Sequence, residues 1–299
     1  MENIVVDVRD GRRSSVVLGR PEEPAKPPVV MLHGFPDNNL TFKAQLPDLL
    51  ASGFPVVCPM LPGYEPRSLY TGAKYDLISV GNYLDTLFDK IKQSLDVPRD
   101  QPIHLVGHDW GALVGYAMVC TWPEKFLSFT SITIPYGLSL GGILVRARQY
   151  LPASWYIQLF QCRGFAERLM LAGEGRRIRR LIDGWNGGWK MPDSVKDDIV
   201  STLAQPGVLP AALAYYRAIY GLGAEARRSR KLLSSNVQVP TLQIRGARDG
   251  CITAPLWRLN ESRFFEIEQK VVEMQAGHFP HQQLPKEFNK ALLGWLQSH

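Results

Sequence analysis

Short apolar runs alternate with longer amphipathic stretches in two separate parts of this chain, and such alternation leaves few folds open. Ile4 to Val8 and Ser15 to Leu18 read as strands, and Pro28-Val-Val-Met-Leu-His33 is a strand-like run stopped by Gly34 and Pro36. A helix is expected around Leu40 to Ala51, then a strand at Phe54 to Cys58 and a long amphipathic helix at Leu77 to Ser94. A strand at Ile103 to Val106, a helix at Asp109 to Thr121 and a strand at Phe126 to Ile134 follow. After Pro135 the strand-like runs stop. From Tyr136 to Ala226 the text is helical, aromatic and arginine-rich, with Trp155, Tyr156, Phe160, Trp185, Trp189, Tyr215, Tyr216 and Tyr220. Alternation resumes with a strand at Val239 to Ile244, a helix at Ala254 to Phe264, a strand at Lys270 to Met274 and a closing helix at Pro285 to Leu296. Strand and helix in turn are the pattern of a parallel sheet covered on both faces. The expectation is an α/β core in two pieces, residues 1–135 and 227–299, interrupted by a helical insertion at 136–226.

Composition narrows the function classes. A chain of 299 residues, 45% hydrophobic and 21% charged, has enough apolar material for a sizeable core, which excludes general disorder. Its net charge of +6 is spread along the chain, so no nucleic-acid partner is expected. The basic clusters Arg176, Arg177, Arg179 and Arg180, and Arg227, Arg228, Arg230 and Lys231, read as solvated helix faces. No run of apolar residues is long enough for a membrane span, and the first residues mix acids and bases without a secretory apolar stretch, so a cytoplasmic location is expected. Cys58, Cys120, Cys162 and Cys251 lie far apart and form no C-x-x-C pair, which fits reduced thiols in core space and argues against a zinc site. No metal or organic cofactor is expected, and monomer and homodimer stay equally open.

The chemistry concentrates at strand ends. Ile103-His-Leu-Val-Gly-His-Asp-Trp-Gly111 puts an acid at the turn between a strand and a helix, in the pattern Gly-x-Asp-x-Gly. Glycines on both sides let the backbone fold sharply enough to present Asp109, a nucleophile elbow with an acid where serine is usual. His33-Gly34-Phe35-Pro36 ends an earlier strand, where the Phe35 N–H and the Trp110 N–H can converge as an oxyanion hole. A late base is supplied by Met274-Gln-Ala-Gly-His278, with His281 as runner-up, while His33, His108 and His104 read as scaffold. The acid that orients the base is expected after Leu242-Gln-Ile-Arg-Gly246, at Asp249. The order is nucleophile, acid, then histidine.

These stretches, with Gly63-Tyr64 and Gly277-His-Phe-Pro-His281, resemble the α/β-hydrolase superfamily, and within it the epoxide hydrolases. The resemblance spans the third strand to the last, and its specific part is aspartate at the elbow, shared mainly with dehalogenases. It implies an enzyme that turns an epoxide and water into a vicinal diol through an alkyl ester on Asp109. Water activated by His278 and Asp249 would then hydrolyse the ester, with the Phe35 and Trp110 N–H groups holding the oxyanion. The insertion looks like the family's cap, from which two tyrosines reach the ring oxygen. Trp155-Tyr-Ile-Gln-Leu-Phe-Gln161 points to Tyr156, and Ala214-Tyr-Tyr-Arg217, similar to a Trp-Tyr-Arg motif, points to Tyr216. Tyr215 is expected to pack within the cap. Trp110, Phe35, Phe160 and Phe279 are expected to line the substrate site. Pro59-Met-Leu-Pro-Gly-Tyr64 and Gln161-Cys-Arg-Gly164 depart from the family's usual text without touching a proposed catalytic role.

Two rivals accompany this reading. A haloalkane dehalogenase would use Asp109 and the Trp110 indole N–H on a halide, although that family commonly has Asn where this chain has Phe35. A non-catalytic ligand-binding protein can keep the same fold.

Overall fold

The computed structural model describes residues 1–23, 26–137, 155–219 and 223–299. Among the described residues eight strands form one sheet: β1 (Glu2–Arg9), β2 (Arg12–Gly19), β3 (Val29–Leu32), β4 (Val56–Pro59), β5 (Ile103–His108), β6 (Phe126–Ile132), β7 (Thr241–Gly246) and β8 (Gln269–Met274). Their spatial order is β1-β2-β4-β3-β5-β6-β7-β8. β2 is antiparallel to both β1 and β4, and every pairing from β4 onward is parallel.

β3 shows why the sheet needs cover on both faces. Val29 and Met31 pack with Val56, Cys58 and Val106 on one side, and Val30 and Leu32 with Val57 and Leu105 on the other, as side chains alternate along a strand. The first face is covered by α1 (Leu46–Ala51) and the closing helix Pro285–Leu296, through Leu46, Leu49, Phe288, Leu292 and Trp295. The second is covered by α2 (Leu77–Ser94) and α3 (Trp110–Thr121), through Leu84, Leu87, Val114 and Met118. The Asp76 carboxylate caps α2 by accepting the N–H groups of Ile78 and Ser79.

Two elements are shorter than their periodicity predicts. Within Leu40 to Ala51, a 3-10 turn at Asn39–Phe42 comes first and the α-helix begins only at Leu46, with Pro47 in its first turn. Within Ala254 to Phe264, the α-helix covers only Ala254–Trp257, followed by a 3-10 turn at Ser262–Phe264. Between them Asn260 serves the sheet instead: its Oδ1 accepts the Tyr136 N–H at 2.8 Å, and it exchanges hydrogen bonds with Gln243.

Between β6 and β7 the described chain is helical, at 155–160, Phe165–Trp185, Asp193–Ala204, Val208–Ile219 and Ala224–Leu232. Phe165–Trp185 is broken at Ala172 to Gly175, whose dihedrals leave the helical region. Residues 138–154 and 220–222 of the expected insertion, including Tyr220, lie outside the described residues. The insertion and the core meet backbone against backbone. A Cβ on Gly250 would stand 2.2 Å from the Gly184 carbonyl oxygen, and one on Gly277 2.3 Å from the Asn186 carbonyl carbon, an approach only glycine permits. There the Trp185 carbonyl accepts the N–H groups of His278 at 3.0 Å and Gly250 at 3.2 Å. No helix among the described residues is long and apolar enough to cross a membrane.

Candidate active site

Parallel strands end on a common edge, and β3, β5, β7 and β8 deliver Phe35, Asp109, Asp249 and His278 from turns just past their carboxyl ends. Asp109 sits between β5 and α3 with φ 50 and ψ −115, a strained conformation of the kind that costs about 1–3 kcal/mol. Its surroundings enforce it. The absent side chain of Gly34 leaves the space Asp109 occupies, since a Cβ there would fall 2.5 Å from both Cβ and Oδ1 of Asp109. The Phe35 N–H then donates to Asp109 Oδ1 at 2.8 Å. His33 braces this turn, donating from Nδ1 to the Gly34 carbonyl at 3.1 Å and accepting the Leu61 N–H on Nε2 at 3.0 Å. Burial lowers its pKa to about 4, so it stays neutral.

His278 faces a carboxylate on each side. Its Nδ1–H donates to Asp249 Oδ2 at 2.8 Å, and its Nε2 points toward Asp109 Oδ2 at 3.7 Å with no protein hydrogen bond. The other oxygen of Asp249 accepts the N–H groups of Cys251 at 2.7 Å and Ile252 at 2.9 Å. Burial by itself disfavours an imidazolium here. The charges of Asp249 and Asp109 outweigh it and raise the His278 pKa to about 10. His108, expected as scaffold, and His281, the runner-up for the base, are both tied into the surrounding structure. His108 Nε2–H donates to the His278 carbonyl at 2.8 Å, and His281 Nε2 is engaged with Thr41 Oγ1 at 2.7 Å; burial lowers the pKa of both.

The insertion brings Tyr156 and Tyr216 together over these strand ends, with ring centroids 6.1 Å apart. Phe160 packs edge-on against both, at 5.4 and 5.0 Å, and Phe35 packs against Tyr216 at 5.5 Å. Tyr156 Oη lies 3.3 Å from Cys251 Sγ. Trp110 opens α3 with its ring 4.8 Å from Tyr216. Its buried indole N–H makes no hydrogen bond. Burial pushes both phenols far above their ordinary pKa, and the Asp109 charge adds to this. They are protonated at neutral pH.

One expectation needs correcting. Tyr215 does not pack within the insertion alone: its phenol donates to the Pro62 carbonyl of the core at 2.7 Å, and its ring meets Tyr64 and Trp110. Phe279, expected to line the site, packs against the rings of His278 and His108, at 5.2 and 5.1 Å. Sequence reasoning also passed over two residues. Trp185 stands 5.2 Å from both His278 and Tyr156, and Cys251 touches Tyr156. A tryptophan closing an amphipathic helix and a lone cysteine carry no signal of such contacts. Asp249, Cys251 and His278 offer ligating atoms within 4.8 Å of one another, but the two oxygens of Asp249 are already committed to His278 and to two backbone N–H groups.

A parallel sheet presenting a strained acid, a histidine and a second acid at its carboxyl edge defines an α/β-hydrolase. Residues 29–291 match the model of the α/β hydrolase family, and the chain belongs to that family. Among its curated relatives, "Epoxide hydrolase srdG" of Neurospora crassa is 25% identical over 300 residues, spanning 90% of this chain and 86% of the relative. "Epoxide hydrolase A" of Mycobacterium tuberculosis is 25% identical over 322 residues, spanning 98% of this chain and 96% of the relative. The crystal structure of an epoxide hydrolase from Vigna radiata matches with a TM-score of 0.77 at 22% identity, covering 100% of this chain and 98% of that one.

Proposed function

We propose that the protein is an epoxide hydrolase acting on a small-molecule epoxide and water, with the insertion at 136–226 serving as its cap. One observation carries this reading: the elbow carboxylate faces an aromatic enclosure from which two buried, protonated phenols, Tyr156 and Tyr216, are presented. An opening epoxide needs a nucleophile at carbon and a proton at oxygen, and this site offers both.

With Asp109 Oδ1 held by the Phe35 N–H, Oδ2 is the attacking atom. Its bond to a ring carbon forms as the carbon–oxygen bond breaks, and the alkoxide takes a proton from a cap phenol. Ester formation removes one of the two charges that raise the His278 pKa. The imidazolium then yields its proton to the tyrosinate and becomes a base. Water gives a proton to His278 Nε2 and attacks the ester carbonyl, whose oxyanion develops on Oδ1 against the Phe35 and Trp110 N–H groups. Collapse frees the diol and regenerates the Asp109 carboxylate beside a charged His278, so protons and bonds balance over one turnover.

The test is diol formation from a panel of aromatic and aliphatic epoxides, with halide release from haloalkanes followed in parallel. Diol from the wild type is expected, abolished in Asp109→Ala and reduced about 10²-fold or more in ring opening when both phenols are replaced by Phe. The buried Trp110 N–H favours a second reading, dehalogenation; halide release without diol would select it. Silence on both would return the chain to a ligand-binding role.

A further inference from the structure

The loop from Asp249 to Ile252 reaches both chemical centres. Asp249 orients His278, and two residues on, the Cys251 thiol lies 3.3 Å from Tyr156 Oη, with both residues almost fully buried. We infer that Cys251 is a positioning residue for Tyr156: its S–H donates to the phenol oxygen, fixes the phenol's orientation and stabilises the charge Tyr156 acquires when its proton passes to the epoxide oxygen. This rests on the epoxide hydrolase reading above.

Either the sulfur or the oxygen can donate across this contact at rest, and once Tyr156 has passed its proton to the epoxide only the thiol can. Asp249 Oδ1 accepts the Cys251 backbone N–H at 2.7 Å, so a carboxylate stands beside the thiol, and both burial and that charge keep it as S–H. A thiol that stays protonated is a donor, if a weak one. A phenol that accepts from it keeps its own proton for the substrate. Tyr216 differs, since Trp110 packs against its ring at 4.8 Å while the indole N–H makes no hydrogen bond. The Asp249 carboxylate that aligns the base also sets, through the Cys251 N–H, where the thiol sits.

The test uses the intact enzyme and single-turnover kinetics that separate ring opening from ester hydrolysis, with thermal unfolding to confirm the folded fraction. Cys251→Ala is expected to slow ring opening about five-fold while ester hydrolysis holds, and Cys251→Ser, which keeps a donor, to recover part of the loss. In a Tyr156→Phe background Cys251→Ala is expected to add nothing. Equal slowing in that background, a matching loss in ester hydrolysis, an unaffected Cys251→Ala, or a serine variant no better than alanine would each overturn the inference and leave the thiol as packing. A wild type that makes no diol would remove the underlying reading and the inference with it, a result distinct from a wild type that turns over while its thiol is dispensable.

Discussion

Asp249→Asn should separate the two chemical steps. Asp249 Oδ2 and His278 Nδ1 are 2.8 Å apart with both side chains wholly buried. At an effective dielectric constant of about 20, unit charges at that spacing attract by about 6 kcal/mol, equivalent to roughly four pKa units. The amide replaces the carboxylate almost atom for atom, and its oxygen can still accept the N–H groups of Cys251 and Ile252. Its NH₂ then faces His278 Nδ1, which drives the imidazole proton onto Nε2, the atom that should receive a proton from water. The geometry survives and the base is lost. Turnover is expected to fall about 10³- to 10⁴-fold, a barrier increase of about 4–6 kcal/mol. Attack by Asp109 needs no base, so ring opening should stay within about an order of magnitude. Intact-protein mass spectrometry after mixing with excess epoxide should show one substrate mass per chain, mapped to the peptide containing Asp109. Wild-type turnover in the variant, or lost turnover with no adduct, would refute this division of labour.

Gly34→Ala places a Cβ within 2.5 Å of Asp109 and 2.7 Å of the His108 carbonyl oxygen; a loss of roughly 2–4 kcal/mol in denaturant unfolding and no adduct in the same mass assay are expected. Arg217→Ala removes the partner of Glu167, at 2.8 Å, and the donor to the Phe160 carbonyl. With both side chains just over one-tenth exposed, a stability loss of roughly 2–4 kcal/mol is expected in thermal unfolding, accompanied by slower ring opening as the two tyrosine segments loosen. His278 keeps its proton to about pH 10 when folded but only to about 6.5 when unfolded. The native state therefore binds more protons across that window, and stability should decline as pH rises through it. Denaturant titrations at a series of pH values should show the decline in the wild type and a shallower one in Asp249→Asn.

The core was legible because its short apolar runs alternate with amphipathic stretches and its candidate site residues sit where strands end. Asp109 follows its strand directly, Asp249 and His278 stand three and four residues past theirs, and the structure gathers them at one edge. What stayed hidden depended on contacts between distant segments. The expected helix after Thr253 ends after about one turn, and Asn260 bonds to Tyr136 and Gln243, neither of which is near it in sequence. The break at Ala172 to Gly175 lies in a region whose text reads only as helical, without bounds for its separate helices. Cys251 looked like core filling because its relation to Tyr156 spans 95 positions of chain. Tyr215 was one position from a residue assigned a role, and only the approach of Pro62 shows that it ties the two parts together.

The glycine contacts between insertion and core bear on how such enzymes can be recombined. Gly184, Gly250 and Gly277 let two backbones touch, and Trp185 lends its carbonyl to the loops bearing Asp249 and His278. An insertion transplanted from another member of the family would bring its own backbone contour to this junction and withdraw the carbonyl that holds the His278 N–H. Grafts cut at the sequence boundaries alone would therefore arrive with a displaced His278. The exchangeable unit is the insertion together with residues 248–251 and 276–278, taken from the same parent.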